Sequence, residues 1–241
     1  MKKTFQLKNL VLSMAVAGAA AVSLAPAAAH AEMSYNASVS NMYLWRGINI
    51  SDPSPVVSGG MDYDFGNGFA VGTWASSEGS FDNSSELDLY GSYSISMGDF
   101  GLSLGYNAYL YPTASKEMFK SAYDSDGDGS MLSDYVVGLS YKDLSATAFI
   151  NTERDKSDNN VYVSLDYSIG AFGLHAAKNF NDVSGAEYTD FNVSYAATDA
   201  LTFTLSKASG DGAIATVAGI KGTDGTEAEN VQLQVSYALP I

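Results

Sequence analysis

The run Asp124-Ser125-Asp126-Gly127-Asp128-Gly129-Ser130-Met131 sets carboxylates at alternate positions before a glycine turn, the donor spacing of the first half of a calcium loop. Asp124, Asp126 and Asp128 stand at positions 1, 3 and 5, Gly129 supplies the turn, and Ser130 offers a main-chain carbonyl. Hard oxygen donors of this kind suit Ca²⁺ far better than a transition metal. The place of the bidentate glutamate is taken by Tyr135, with Asp134 one residue early, and no helical pattern flanks the run. A weak Ca²⁺ site over 124–130 and a solvated acidic turn both fit these residues. No cofactor is required anywhere else.

A second pattern, Gly101-Leu102-Ser103-Leu104-Gly105, spells G-x-S-x-G. A nucleophile elbow needs a sharp strand-to-helix turn to expose its serine, and this pentapeptide lies inside a regularly alternating segment. His175, the only histidine beyond residue 31, also falls on the polar face of an alternating segment. It reads as a hydrogen-bonding residue and not as a metal ligand, because no second histidine is there to join it. The pattern is what a Gly/Ser-rich sheet produces by chance, so the chain is read as no enzyme, with no catalytic residues.

These residues must be positioned by β-strands. Leu87, Leu89, Gly91 and Tyr93 alternate with Glu86, Asp88, Tyr90 and Ser92, and Val231, Leu233, Val235 and Tyr237 alternate with Gln232, Gln234 and Ser236. Each such segment has one apolar and one polar face. The alternation predicts strands at about 34–47, 56–65, 69–76, 85–95, 100–111, 134–141, 144–151, 160–168, 172–178, 189–196, 201–207 and 230–239. Gly66-Asn67-Gly68, 96–99, Lys142-Asp143, 169–171 and 197–200 make short connections; the others, near 48–55, 77–84, 112–133, 152–159, 179–188 and 208–229, are long and polar. Short and long connections in strict alternation over an even number of antiparallel strands are the plan of an outer-membrane barrel. In lipid every backbone N–H and C=O needs a partner, so the sheet must close. The expected fold is therefore all-β, a closed antiparallel transmembrane barrel of about twelve strands with short periplasmic turns and long extracellular loops.

Composition agrees. The 241 residues carry 12 Lys+Arg against 27 Asp+Glu, a net charge of −15, which excludes the basic face that nucleic acid demands. There is no cysteine, hence no disulfide and no thiolate metal site. Lys2, Lys3 and Lys8 followed by an apolar stretch and Ala29-His30-Ala31 read as a cleaved secretory signal over 1–31, leaving 32–241 as the barrel domain.

One stretch resembles a known family. Trp45-Arg46-Gly47-Ile48-Asn49-Ile50-Ser51, then Pro55-Val56-Val57-Ser58-Gly59-Gly60-Met61-Asp62-Tyr63, then Gly68-Phe69-Ala70-Val71-Gly72-Thr73-Trp74-Ala75-Ser76-Ser77 resemble the TorF family of Gram-negative outer-membrane porins. The resemblance implies a small barrel porin and supplies no catalytic residues. From parity alone, Arg46 points into the interior and Trp45 joins an outer aromatic girdle. Asp62, Asp64, Glu86, Asp88, Asp166 and His175 fall on polar faces, so with Arg46 they are the expected pore-lining set. Carboxylates in a narrow passage favour cations, and many small polar-face residues, Ser58, Gly60, Gly72, Ser92 and Ser103 among them, leave room for a conduit. The expected function is passive diffusion of small hydrophilic solutes through the outer membrane. The alternative is a non-conducting barrel whose acidic loops bind a partner or surface polysaccharide through divalent cations. The expected partners are outer-membrane lipid and lipopolysaccharide, the solutes themselves, and further copies of the chain in a homo-oligomer.

Overall fold

The structure, a computed structural model, describes residues 31–51, 54–77, 85–110, 132–152, 160–221 and 224–241. Its strands are β1 (Glu32–Ser40), the two short strands β2 (Leu44–Trp45) and β3 (Ile48–Asn49), then β4 (Val56–Asp64), β5 (Phe69–Ser76), β6 (Glu86–Met97), β7 (Phe100–Leu110), β8 (Ser133–Tyr141), β9 (Leu144–Asn151), β10 (Asn160–Ile169), β11 (Phe172–Asn181), β12 (Tyr188–Ala196), β13 (Leu201–Ser209) and β14 (Gln232–Ala238). All but β2 and β3 join one sheet, each strand antiparallel to its neighbours. The ring closes at β1, which pairs with both β4 and β14, Ser38 lying opposite Ser58 on one side and Ala238 on the other. The result is the twelve-stranded closed antiparallel barrel that the alternation predicts. Closure joins β1 to β14 over Ser38–Ser40, so no strand of the ring is left with a wholly open edge.

The tight turns gather at one end of the barrel. Gly66, Gly68, Gly98 and Gly170 take left-handed φ angles of 73°, 93°, 64° and 59° there, and Lys142 does so at 54°. Along each strand one set of side chains faces outward and is mostly apolar and exposed, for example Leu89, Leu104, Leu139, Leu165 and Phe191. Aromatic pairs ring the outer wall near the short turns: Phe69 with Tyr93, Phe100 with Tyr141, and Phe172 with Tyr195, with ring centroids 5.0, 4.5 and 5.1 Å apart. The other set faces inward and is mostly polar.

Three departures from the sequence reading concern the long-loop end. The first strand stops at Ser40 and does not run to residue 47. Asn41 ends it: its side-chain amide donates to the Leu233 carbonyl and accepts from the Val235 amide at 2.9 and 2.7 Å, doing with a side chain what the next backbone unit would have done. The chain then turns into the barrel as the small antiparallel hairpin of β2 and β3. Trp45 consequently lies half-buried in this hairpin and not in an outer girdle. Finally, the connection after β13 contains a helix, α1 (Asp211–Lys221), and a 3₁₀ turn, Thr226–Glu229, which together escaped the strand pattern. The helix packs on β3 and on the ends of β12 and β13. Its buried Ala213 and Val217 lie four apart as a helix requires, but apolar neighbours on both sides blur the period.

Candidate functional site

The hairpin carries an apolar cluster into the long-loop half of the barrel. Tyr43, Ile48 and Ile50 are buried there with Val56 of β4, Tyr188 of β12, Ala208 of β13, and Ala213, Val217 and Ala228 from the last connection; Trp45 and Trp74 pack against them. Within the hairpin the Ile50 amide donates to the Tyr43 carbonyl at 2.9 Å and the Tyr43 amide to Ser51 Oγ at 2.8 Å. The Tyr43 hydroxyl reaches across to β6 and donates to Glu86 Oε2 at 2.5 Å.

At the tip stand Arg46 and Gly47, both in left-handed conformation, φ 46° and 78°. The tip rests on β12 and β13 through Gly47, and Arg46 reaches from it to the far wall of β8 to β10. Ser206 of β13 donates to the Gly47 carbonyl at 3.2 Å, and a Cβ at Gly47 would overlap the Asp190 side chain of β12, so only glycine allows this approach. Arg46 is 5% exposed. Its Nη2 donates to Asp134 Oδ2 of β8 at 2.6 Å, and Asp134 also accepts from the Tyr109 hydroxyl at 2.9 Å. The guanidinium lies 4.6 Å from the Trp45 ring, 5.0 Å from Phe149 and 4.9 Å from Tyr162. Burial works against the cation, but Asp134 and the surrounding tyrosines outweigh it and raise its pKa above the ordinary value. Arg46 Nε, by contrast, is buried without an acceptor among the described residues.

Beside this latch is a second network on β10 to β12. His175 Nδ1 lies 2.6 Å from Asp166 Oδ1, and its Nε2 lies 3.1 Å from Asp190 Oδ1 and 3.0 Å from the Tyr162 hydroxyl. Tyr162 donates to Asp190 Oδ2 at 3.0 Å, and Ser164 donates to Asp166 Oδ2 at 2.9 Å. Tyr162 therefore links both groups, with its ring under Arg46 and its hydroxyl on the histidine cluster.

The inward residues expected from the sequence thus divide between three places. Asp166 and His175 come together, and Arg46 lies next to them. Glu86 and Asp88 are buried on β6, the former holding the hairpin. Asp62 accepts from the Tyr90 hydroxyl at 2.6 Å, while Asp64 accepts from the Gly66 amide at 2.7 Å and so braces a short turn. Arg46 does face the interior, but as the tip of a hairpin, with Asp134 as its partner. Some of the space expected at small residues is filled; a Cβ at Gly72 would overlap the Tyr90 ring. Ser103 is buried and inward, without a hydrogen-bond partner among the described residues, and His175 spends both ring nitrogens on other groups. Among the described residues the G-x-S-x-G serine therefore has no base. Asp124, Asp126, Asp128 and Ser130, and the leader, lie outside the described residues.

Asp134, Asp190, Tyr109, Tyr162 and Tyr43 were not in the expected set. Asp134 and Asp190 share the parity of the polar faces of their strands, so alternation applied to every carboxylate would have found them. Nothing local marks the tyrosines, since outward and inward faces both carry that residue.

A family profile described as "Bacterial protein of unknown function (Gcw_chp)" matches residues 24–238. No curated protein matches the chain. Among solved structures, one reported under "Unveiling the Mechanism Behind the in-meso Crystallization of Membrane Proteins" has a TM-score of 0.51 at 7% identity, covering 86% of this chain and 83% of that one. The KdgM porin has a TM-score of 0.49 at 8% identity, covering 87% and 99%. Outer membrane phospholipase A from Escherichia coli has a TM-score of 0.41 at 11% identity, covering 86% and 92%. At these identities the likeness is one of fold.

Proposed function

The chain belongs to the Gcw_chp family of bacterial proteins of unknown function, and from its own interior we propose that it is an outer-membrane channel of the porin type, passing small hydrophilic solutes with a preference for cations. The observation that carries this reading is the division of charge. Asp62, Asp64, Glu86, Asp88, Asp134, Asp166 and Asp190 all share the inward parity of their strands, against Arg46 and His175. Carboxylates held between low-dielectric walls concentrate cations and repel anions. The apolar outer wall supports a lipid surrounding, with the short turns towards the periplasm. The resemblance of residues 45–77 to TorF porins points the same way, and we further propose that 1–31 is removed, so that the mature chain begins at Glu32 in the outer membrane. Asp62, Asp64, Asp88 and Asp166 act as pore-lining residues in this reading, and the hairpin is the constriction. The test is single-channel recording in a planar bilayer under a salt gradient. Cation-selective steps are expected; anion selectivity overturns the preference.

The buried hairpin favours a second reading, a barrel that does not conduct and works through its acidic loops, binding a partner or surface polysaccharide through divalent ions. The proposed Ca²⁺ loop at 124–130 belongs equally to both. Complete silence of the wild type over a range of voltages selects this second reading.

A further inference from the structure

Of all the outward-facing side chains on the described barrel strands, Lys178 and Lys207 alone are charged. In a chain with 27 acids and 12 bases, no acid shares that surface on those strands. Both lysines lie at the long-loop end, Lys178 three residues before the end of β11 and Lys207 two before the end of β13. Only β12 separates them: Lys178 is opposite Thr189 and Lys207 is opposite Phe191. Their strands are thus about 10 Å apart, close enough for two long side chains to meet one head group above Thr189. Lysine on a lipid-facing wall is tolerated near an interface and disfavoured at mid-bilayer, so this pair marks the level of the head groups.

Below Lys178, and one strand aside from Lys207, the wall carries a shallow open groove. A cleft of about 380 Å³ is lined by Leu144, Leu165, Leu174, Ala176, Phe191 and Val193. Ala176 is the next outward residue below Lys178 on β11, and Phe191 lies directly beside Lys207, so groove and cations are continuous. From Lys178 to Leu174 the strand runs about 13 Å, which at the tilt of such barrels is a descent of about 10 Å within their roughly 25 Å apolar band. The groove therefore extends from just below the head-group level towards the middle of the band. Lys178 does pair with Glu187 at 3.0 Å and lies 4.7 Å from the Phe180 ring, but an ammonium has three donors and the carboxylate occupies one of them. Lys207 has no hydrogen bond or ion pair among the described residues.

We propose that this face is a binding site for the phosphorylated glycolipid of lipopolysaccharide, with phosphates on Lys178 and Lys207 and an acyl chain in the groove over Ala176. Two lysines two strand spacings across and two residues along from one another, about 12 Å between Cα atoms, suit a head group with two phosphates better than a phospholipid with one. The site rests on the outer-membrane reading above, because it takes the long-loop end to face the outer leaflet.

Native mass spectrometry of the purified, delipidated full chain in detergent tests it, with lipid A, dephosphorylated lipid A and phosphatidylglycerol as probes. Wild type is expected to retain lipid A in preference to the other two. The variant Lys178→Gln with Lys207→Gln should lose roughly thirty-fold in lipid A affinity, about five-fold per lysine. Ala176→Phe, which fills the groove and leaves both charges, should weaken lipid A binding as well. Heat-dependent electrophoretic mobility shows that each variant is a folded barrel. Equal retention of lipid A and its dephosphorylated form overturns the proposal, as does a preference for phosphatidylglycerol or a double variant that binds like wild type. A wild type absent from outer-membrane fractions sinks the channel reading, but the comparison in detergent is still scored independently.

Discussion

Asp134→Asn is the substitution that most directly tests the hairpin as a constriction. It removes the charge facing Arg46 and leaves the guanidinium buried among rings. Breaking a buried ion pair by deleting one partner costs about 3–5 kcal/mol, mostly because the remaining charge is uncompensated. The hairpin has little reserve against such a loss. A non-glycine residue at φ 46° is held at a cost of about 1–3 kcal/mol, and a buried donor without an acceptor, here Arg46 Nε, costs about 1–3 kcal/mol more. The three ring contacts return about 0.5–2 kcal/mol each, roughly offsetting those two terms, so the Asp134 pair holds the balance. Its loss should shift the hairpin out of the interior by roughly two to four powers of ten. The assay is open probability in a planar bilayer at fixed voltage, with thermal unfolding as the check that the barrel itself is intact. The double variant Arg46→Leu with Asp134→Asn should open less than Asp134→Asn alone, since no stranded charge is left. If Asp134→Asn opens no more often than wild type while the barrel remains folded, the hairpin is not latched by this pair and the reasoning is wrong.

Four further outcomes are expected, two from this geometry and two from the sequence. Gly47→Ala places a methyl into Asp190 at a φ of 78° and should free the hairpin, raising protease cleavage near residues 44–49, whereas Gly185→Ala, where a Cβ meets only the edge of Asp211, should not. Asp62→Asn with Asp64→Asn should move the reversal potential in a salt gradient towards that of anions; an unmoved potential removes these two from the selectivity set. Calcium in the range of roughly 10⁻⁴–10⁻³ M should protect residues 112–133 from protease, and Asp126→Asn should abolish that protection; equal cleavage in calcium and chelator marks a solvated turn. The purified protein should begin at Glu32 by mass and shift in electrophoretic mobility on boiling, and a soluble, heat-insensitive species counts against the barrel in lipid.

The barrel was legible because its physics is local. A strand with lipid on one side and water on the other must alternate, and Leu87 to Tyr93 or Val231 to Tyr237 do so without help from anything distant. The turns were legible for the same reason, since Gly66-Asn67-Gly68 and Lys142-Asp143 punctuate the pattern. The site was only half legible. Parity assigned Arg46, Asp62, Asp64, Glu86, Asp88, Asp166 and His175 to the inner face, but alternation says which way a residue points and nothing about which residue of another strand it meets.

What the sequence determined by itself is therefore the strand count, the two faces and the excess of inward carboxylates, all consequences of period and composition. The tertiary structure alone decided that the chain leaves β1 at Asn41, whose side chain imitates the next ladder bond, and folds Trp45 and Arg46 inward. It alone joined Arg46 to Asp134, 88 residues away, and Tyr162 to His175 and Asp190. These pairings depend on how twelve strands stagger around a closed ring, and closure is a property of the whole sheet that no single segment contains.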